Sequence, residues 1–144
     1  MSTIEERFSA ALHSTARTWR QALDRRLKDL GVGQAGWMAI AIVAKEQAPL
    51  SQAELADRLG VEAPTVVAAV DRLVKAGLVL RLPSDTDRRI KLVVLTDAGQ
   101  ALYAKVKIEA DAYRSKLLAG IDRAALMQAT ELLEALRASV EASL

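Results

Sequence analysis

The stretch that decides the fold runs from Leu50 to Thr96 and reads LSQAELADRLGVEAPTVVAAVDRLVKAGLVLRLPSDTDRRIKLVVLT. Ser51 and Glu54 have the Ser-x-x-Glu spacing of a capping box, which predicts the start of a helix, and Gly60 is typical of a helix end. Pro64 favours the start of a second helix, because the first turn needs no amide donor. Two short helices joined by a tight turn form the helix-turn-helix pattern, whose second helix can enter a DNA major groove.

Beyond the second helix the apolar pattern changes from a helical period to one typical of strands. Residues 78–82 and 90–95 are rich in Leu, Val and Ile, which predicts two short strands. Between them, PSDTDRR at 83–89 is a cluster of turn-forming residues. The pattern therefore predicts a hairpin, a wing, with arginines at its tip.

Arg88 and Arg89 at this tip are candidate DNA contacts. In an extended chain Asp87 and Arg89 share one face, and Arg88 points the other way. We expect Asp87 to hold one arginine through charge-assisted hydrogen bonds, while the other enters a minor groove, where the negative potential favours arginine. The alternative is a solvated hairpin tip without a binding role.

The second helix of the pair presents a candidate DNA-reading side. Its apolar residues Val66, Ala69 or Val70, and Leu73 recur at helical spacing, which predicts a buried side. The outward side and the start of the first helix supply the remaining candidate DNA contacts, namely Gln52, Pro64, Thr65, Ala68, Arg72 and Lys75. The two cations of this set fit phosphate contacts, although ordinary surface charges explain them equally well.

Several segments resemble the MarR family of winged-helix transcription regulators. The family pattern is a leucine–glycine segment, D-x-R, a strand and L-T-x-x-G, and it matches LVKAGLVLR at 73–81 and DTDRRIKLVVLTDAG at 85–99. Upstream, RTWRQALDRRLKDLGVGQAGW at 17–37 is similar to the first-helix region of the SlyA-type branch. The resemblance implies a mostly helical homodimer that binds a palindromic operator and is often released by small aromatic acids.

One position departs from that branch. SlyA-type relatives tend to carry an arginine where this chain has Ala68. Ala68 and the methyl group of Thr65 can contact thymine methyls, but neither can pair bidentately with guanine. We therefore expect less direct base readout, and more discrimination through the wing and DNA shape.

Long amphipathic helices are predicted on both sides of the winged region. They span about residues 3–30, 34–46, 96–118 and 122–140. Their apolar stripes are too long for one small winged unit to cover, so we expect residues 1–33 and 98–144 to form a homodimer interface. The alternative is packing within one chain.

The tryptophans are candidates for an effector pocket between the flanking helices and the winged region. The predicted effector set is Trp37 with Arg17 and Arg20, either of which can meet a carboxylate, and the family resemblance implies aromatic acids as ligands. The alternative is that Trp19 and Trp37 are both core or interface residues.

Composition excludes several other functions. There is no cysteine, which rules out disulfides and a thiol redox sensor, and His13 is the only histidine, so no metal site is expected. No nucleophile–base pair or Gly-rich phosphate loop is present, and we expect neither an enzyme nor a cofactor. The charged start MSTIEERF and the short apolar runs predict neither a signal peptide nor a membrane span, which fits a cytoplasmic protein.

Overall charge is a weak argument for nucleic acid. The net charge is +2, and residues 51–91 hold seven Lys/Arg against six Asp/Glu. What matters is position, because four cations are predicted to surround the wing: Arg81, Arg88, Arg89 and Lys91.

The sequence therefore predicts a mainly α fold with a small β-hairpin wing, in which a winged helix-turn-helix at 34–97 lies within a single domain. We expect a homodimeric, sequence-specific transcription regulator such as a repressor, with helix 63–76 in the major groove of double-stranded DNA and wing 83–90 in the minor groove. A small aromatic carboxylate is the candidate effector. The alternative is a winged-helix module that binds a protein rather than DNA, which Ala68 and the near-neutral charge favour.

Overall fold

Helix, turn, helix and wing follow one another in the order that the sequence predicts. The computed structural model describes residues 1–144, which form two compact units, 1–111 and 112–144. The elements are α1 (Ile4–Arg26), α2 (Gly33–Lys45), β1 (Leu50–Ser51), α3 (Gln52–Leu59), α4 (Ala63–Lys75), β2 (Val79–Pro83), β3 (Lys91–Leu95), α5 (Asp97–Leu118) and α6 (Arg123–Ser143). The predicted mainly helical fold with a small wing is confirmed.

The sheet has one strand more than the predicted hairpin. Its three strands are antiparallel in the order β1, β3, β2, with Leu50 of β1 opposite Val93 of β3. The extra strand is two residues long, so it shows no alternation of apolar and polar residues from which a strand can be predicted. Its second residue, Ser51, is also the cap of the next helix.

A reciprocal cap fixes where α3 begins. The Glu54 amide donates to Ser51 Oγ and the Ser51 amide donates to Glu54 Oε1, both at 3.1 Å, so the predicted capping box is confirmed. Hydrogen bonds to the Glu54 carboxylate from the Ser51 backbone amide, and then from the Ser51 side chain, lower the pKa of Glu54. Gly60 ends the helix with a φ of 70°, a conformation that residues with a Cβ rarely adopt.

The core lies between α2, α3, α4 and the sheet. On α4 the buried residues are Val66, Ala69, Val70 and Leu73. Val66, Val70 and Leu73 pack in one cluster with Ile40 of α2, Leu55 of α3, Val79 of β2 and Val93 of β3, and these four partners are each at most 1% exposed. Because these residues pack one side of α4 against the core, the opposite side of the helix faces solvent.

The first helix is shorter than predicted. It ends at Arg26, and Lys28–Leu30 form a separate 3₁₀ turn closed by Gly31 at a φ of 75°. A spacing of three between Leu27 and Leu30 fits a 3₁₀ turn as well as an α-helix, so the apolar pattern continues through the change.

Two helices expose much of their apolar surface. In α1 only Leu23 is buried, and Ile4, Phe8 and Leu12 are exposed. In α6, which Asp122 caps through the Ala125 amide at 3.0 Å, no residue is buried. None of the helices is long and apolar enough to cross a membrane.

The L-T-x-x-G segment joins the wing to α5. Thr96 Oγ1 donates to the Gly77 carbonyl at 2.6 Å and accepts from the Gly99 amide at 3.1 Å, which caps α5 as well. A Cβ at position 99 would lie 2.1 Å from the Leu78 carbonyl oxygen. Glycine is therefore required here so that the start of α5 can approach the backbone before β2.

We predict that Gly99→Ala lowers the free energy of unfolding by roughly 2–3 kcal/mol, because backbone must move to admit the methyl group. Urea denaturation measures the change. Gly120→Ala is the matched control, since nothing lies within 4 Å of a Cβ there, and it should leave stability almost unchanged. Equal stability of the two variants would contradict the close packing at Gly99.

Candidate nucleic-acid interface

The outward side of α4 presents five of the predicted contact residues together. Pro64, Thr65, Ala68, Arg72 and Lys75 are all exposed. Small side chains lie in the first half of the helix, and the two cations lie in the last turn. A helix with this distribution can approach the floor of a groove closely at one end and meet phosphates at the other.

The wing tip holds one arginine as predicted, but by a different local structure. Arg89 donates to both carboxylate oxygens of Asp87, from Nε and Nη2, each at 3.1 Å. Residues 84–90 are not a strand, so the strand alternation from which this pairing was predicted is wrong. Instead, the Arg89 amide donates to Asp87 Oδ1 and the Ile90 amide to the Asp87 carbonyl, both at 3.0 Å, which makes a compact Asp turn.

Both wing arginines are presented to solvent. The Arg89 side chain stays 90% exposed although it is paired. Arg88 is exposed and takes part in no ion pair. The wing therefore carries one oriented guanidinium beside one that can move.

The Asp87–Arg89 pair persists at neutral pH. Hydrogen bonds from the Arg89 side chain, and then from its backbone amide, lower the pKa of Asp87. The carboxylate thus stays ionised down to a pH below the usual range of aspartate, and the pairing is lost only as the pH falls through the lowered pKa.

Arg81, one of the four cations predicted around the wing, lies in β2, but its side chain is engaged within the protein. It donates from Nε to Gln52 Oε1 at 2.7 Å and from Nη2 to the Val67 carbonyl at 3.3 Å. Nη2 also lies 2.6 Å from Asp71 Oδ1, and the side chain is only 25% exposed. Positions 79 and 81 lie on the same face of β2, and Val79 packs in the core. The alternation of side chains along a strand therefore indicates that the Arg81 side chain also points inward.

Arg81 thereby joins a predicted contact residue, Gln52, and an acidic residue of α4, Asp71, in one network. Gln52, the first residue of α3, is half-buried and bonded to Arg81. Asp71, on the exposed side of α4, pairs with Arg81 and not with the neighbouring Arg72 or Lys75. Arg72 and Lys75 therefore remain available for another anionic partner.

A separate cavity contains two of the three predicted effector residues. It measures about 340 Å³ and is lined by Arg17, Arg20, Gln21, Gln34, Ala35, Met38, Leu59, Gly60 and Val61. Trp37 is not in this lining. It is 7% exposed, and its Nε1 donates to Asp24 Oδ1 at 3.2 Å, so the structure places it in the core.

Comparison with known proteins points to one family. The MarR family model matches residues 30–90. The solved transcriptional regulator PA3341 is 38% identical, with 93% of this chain and 98% of that chain covered and a TM-score of 0.87. CouR from Rhodococcus jostii RHA1, solved bound to p-coumaroyl-CoA, is 22% identical over 94% and 95% of the two chains (TM-score 0.80). The transcriptional regulator SlyA is 20% identical over 92% and 93% (TM-score 0.80).

We predict that the Arg89 Nε–H resonance of the protein titrates with a midpoint below 3.8, the ordinary pKa of aspartate, because Asp87 must be protonated to release the guanidinium. NMR over a pH series measures this midpoint. In Asp87→Asn the titration should vanish. A midpoint at or above 3.8, or the same titration in the variant, would contradict the pairing.

Proposed function

Because this chain belongs to the MarR family of transcriptional regulators, we propose that it binds a palindromic operator as a homodimer, with α4 of each subunit in a major groove and wing 83–90 in the flanking minor groove. The observation that supports this most is the exposure, on one compact unit, of the small-residue side of α4 together with the wing arginines. A regulator of this kind acts through operator binding and not through catalysis.

In the major groove, the segment from Pro64 to Arg72 faces the bases. Thr65 and Ala68 are short enough for close approach and offer methyl groups to thymine. Arg72 and Lys75 reach phosphates on the same side. Half-sites then lie about one helical turn apart, as paired helix-turn-helix units require.

In the minor groove, the two wing arginines have different tasks. Arg88 has no partner in the protein, so it is the residue that enters the groove, where the negative potential is strongest over A·T-rich sequence. Arg89, oriented by Asp87, contacts the backbone at the groove edge. Direct readout is limited by Ala68, so DNA shape carries much of the discrimination.

The exposed apolar residues of α1 and α6 support the proposed dimer. Residues 1–33 and 98–144 would form its interface, because Ile4 and Phe8 of one helix and Met127 and Leu132 of the other are exposed in the single chain. Apolar surface of this extent stays in contact with water only at a cost of about 25 cal/mol for each Å². Pairing of two copies removes that cost.

The cavity with Arg17 and Arg20 is the proposed effector site. Its apolar members Met38 and Leu59 suit an aromatic ring, while a guanidinium suits a carboxylate. The proposed ligand class is a small aromatic carboxylate; the p-coumaroyl group in the CouR complex is likewise aromatic, but it is joined to CoA as a thioester. The lining includes Gly60, in the turn between α3 and α4, so an occupant would act on the position of α4.

A protein-binding role is the second candidate, and one surface favours it. Leu80 and Leu82 of β2 and Ile90 beyond the wing tip are 50%, 45% and 42% exposed. Their apolar side chains offer a contact for another protein, whereas the adjacent wing arginines favour DNA.

We predict that selection from random duplexes at two salt concentrations enriches a palindrome with A·T-rich flanks. The two-fold symmetry of the dimer requires a palindromic site. Insertion of the wing into the minor groove favours flanks that are rich in A·T. Binding without enrichment, and lost at the higher salt, would mean backbone attraction alone. No binding at either salt would overturn the proposal in favour of the protein-interaction role.

Arg88→Ala is expected to weaken binding to this operator and to reduce the slope of log affinity against log salt by about 0.9, because a guanidinium in the minor groove displaces condensed counterions as one phosphate contact does. Fluorescence anisotropy over a salt series measures both quantities. Lys45→Ala is the control, because that exposed residue at the end of α2 lies outside both the proposed DNA contacts and the proposed dimer interface. A slope unchanged in Arg88→Ala and in Arg89→Ala would refute the role of the wing.

Titration with salicylate should change the tryptophan fluorescence and weaken operator binding, and Arg17→Ala with Arg20→Ala should abolish both effects. The physical reason is that the carboxylate loses its cationic partners. An unchanged signal and unchanged operator affinity at millimolar salicylate would count against an aromatic-acid site in this cavity.

A further inference from the structure

Arg81 links three elements that meet at the proposed DNA surface. From β2 its guanidinium reaches Gln52 at the start of α3 (2.7 Å), and the Val67 carbonyl (3.3 Å) and Asp71 (2.6 Å) of α4. A planar guanidinium presents five N–H groups in fixed directions, so it can satisfy three separate acceptors at once. A lysine ammonium has no such fixed geometry.

The hydrogen bond from Arg81 orients the side-chain amide of Gln52. Its oxygen accepts from Arg81 Nε, so its NH₂ group is directed away from the guanidinium. The donor end of the amide is then the end available to a ligand, and a phosphate oxygen needs a donor. Without Arg81, the amide can turn and present its oxygen, which repels phosphate.

The ion pair with Arg81 also changes the charge that α4 presents at Asp71. Asp71 lies on the exposed side of this helix, with its side chain 53% exposed, where a carboxylate would oppose approach to the DNA backbone. Pairing with Arg81 cancels this charge locally. The same contact ties α4 to β2, the strand that leads to the wing tip.

Given the operator binding proposed above, on which this inference rests, we propose that Arg81 is a positioning residue for DNA recognition. It does not contact DNA. It fixes the amide of Gln52 with the donor end outward, and it holds the wing at one angle to α4, so that both reach their grooves in one arrangement. Gln52 is the phosphate contact through which its effect is transmitted.

The test uses a variant that keeps the net charge of the full-length protein. Asp71→Asn/Arg81→Gln removes one charge of each sign, so attraction between whole molecules is unchanged. We expect its affinity for the selected operator to fall roughly ten-fold, the effect of losing a charge-assisted hydrogen bond, with an unchanged salt slope. Circular dichroism and stoichiometric titration correct for any unfolded fraction.

A double-mutant cycle with Gln52→Ala separates positioning from general stability. In the wild type this substitution should weaken binding without changing the salt slope, because a neutral amide displaces no counterion, whereas in the Asp71→Asn/Arg81→Gln background it should change little, because the amide is no longer oriented. Arg81→Lys, which keeps the charge and perturbs the fold least, should show the same loss of the Gln52 effect.

The possible results are distinguishable. A wild type that does not bind the operator selectively overturns the proposed function, and this inference with it. A wild type that binds, with additive effects of the Gln52 and Arg81 substitutions, overturns this inference alone. So does a salt slope reduced by about 0.9 in the charge-matched Asp71→Asn/Arg81→Gln variant, since it would make Arg81 itself a phosphate contact.

Discussion

Burial of one side of α4 is the constraint on which the candidate interface depends. Val66, Val70 and Leu73 are at most 2% exposed, and burying each such side chain stabilises the fold by about 1.5–3 kcal/mol. An exposed ion pair contributes less than about 1 kcal/mol. Apolar burial therefore decides which residues of α4 face outward, and polar contacts such as those of Arg81 decide only the finer arrangement of the neighbouring elements.

Features that depend on residues near one another in the chain could be predicted from the sequence. The capping box at Ser51, the buried side of α4 and the cap of α5 by Thr96 each depend on residues close together in the chain. The partners of Arg81 could not be predicted in this way, because Gln52 lies 29 residues before it and the contact needs the sheet register. The same applies to β1, whose pairing with β3 joins residues far apart in sequence.

The wing tip shows that a correct pairing can be predicted for the wrong reason. Asp87 and Arg89 were expected to meet because alternate residues of a strand share a face. They meet because Asp87 forms a turn with its own backbone neighbours, and this turn also holds the arginine side chain. The proposed contact residues, unlike the fold, depend on which side chains remain accessible, and an exposed side chain as short as Ala68 has no hydrogen-bonding group with which to read a base.

We propose that α4 and the wing occupy adjacent grooves in both halves of one operator. Footprinting of the selected duplex with dimethyl sulfate, which probes the major groove, and with hydroxyl radicals, which probe the backbone along the minor groove, tests it directly. We expect two major-groove protections about one helical turn apart, each flanked outside by a minor-groove protection. Protection of a single half-site, or of the backbone without a groove pattern, would contradict it.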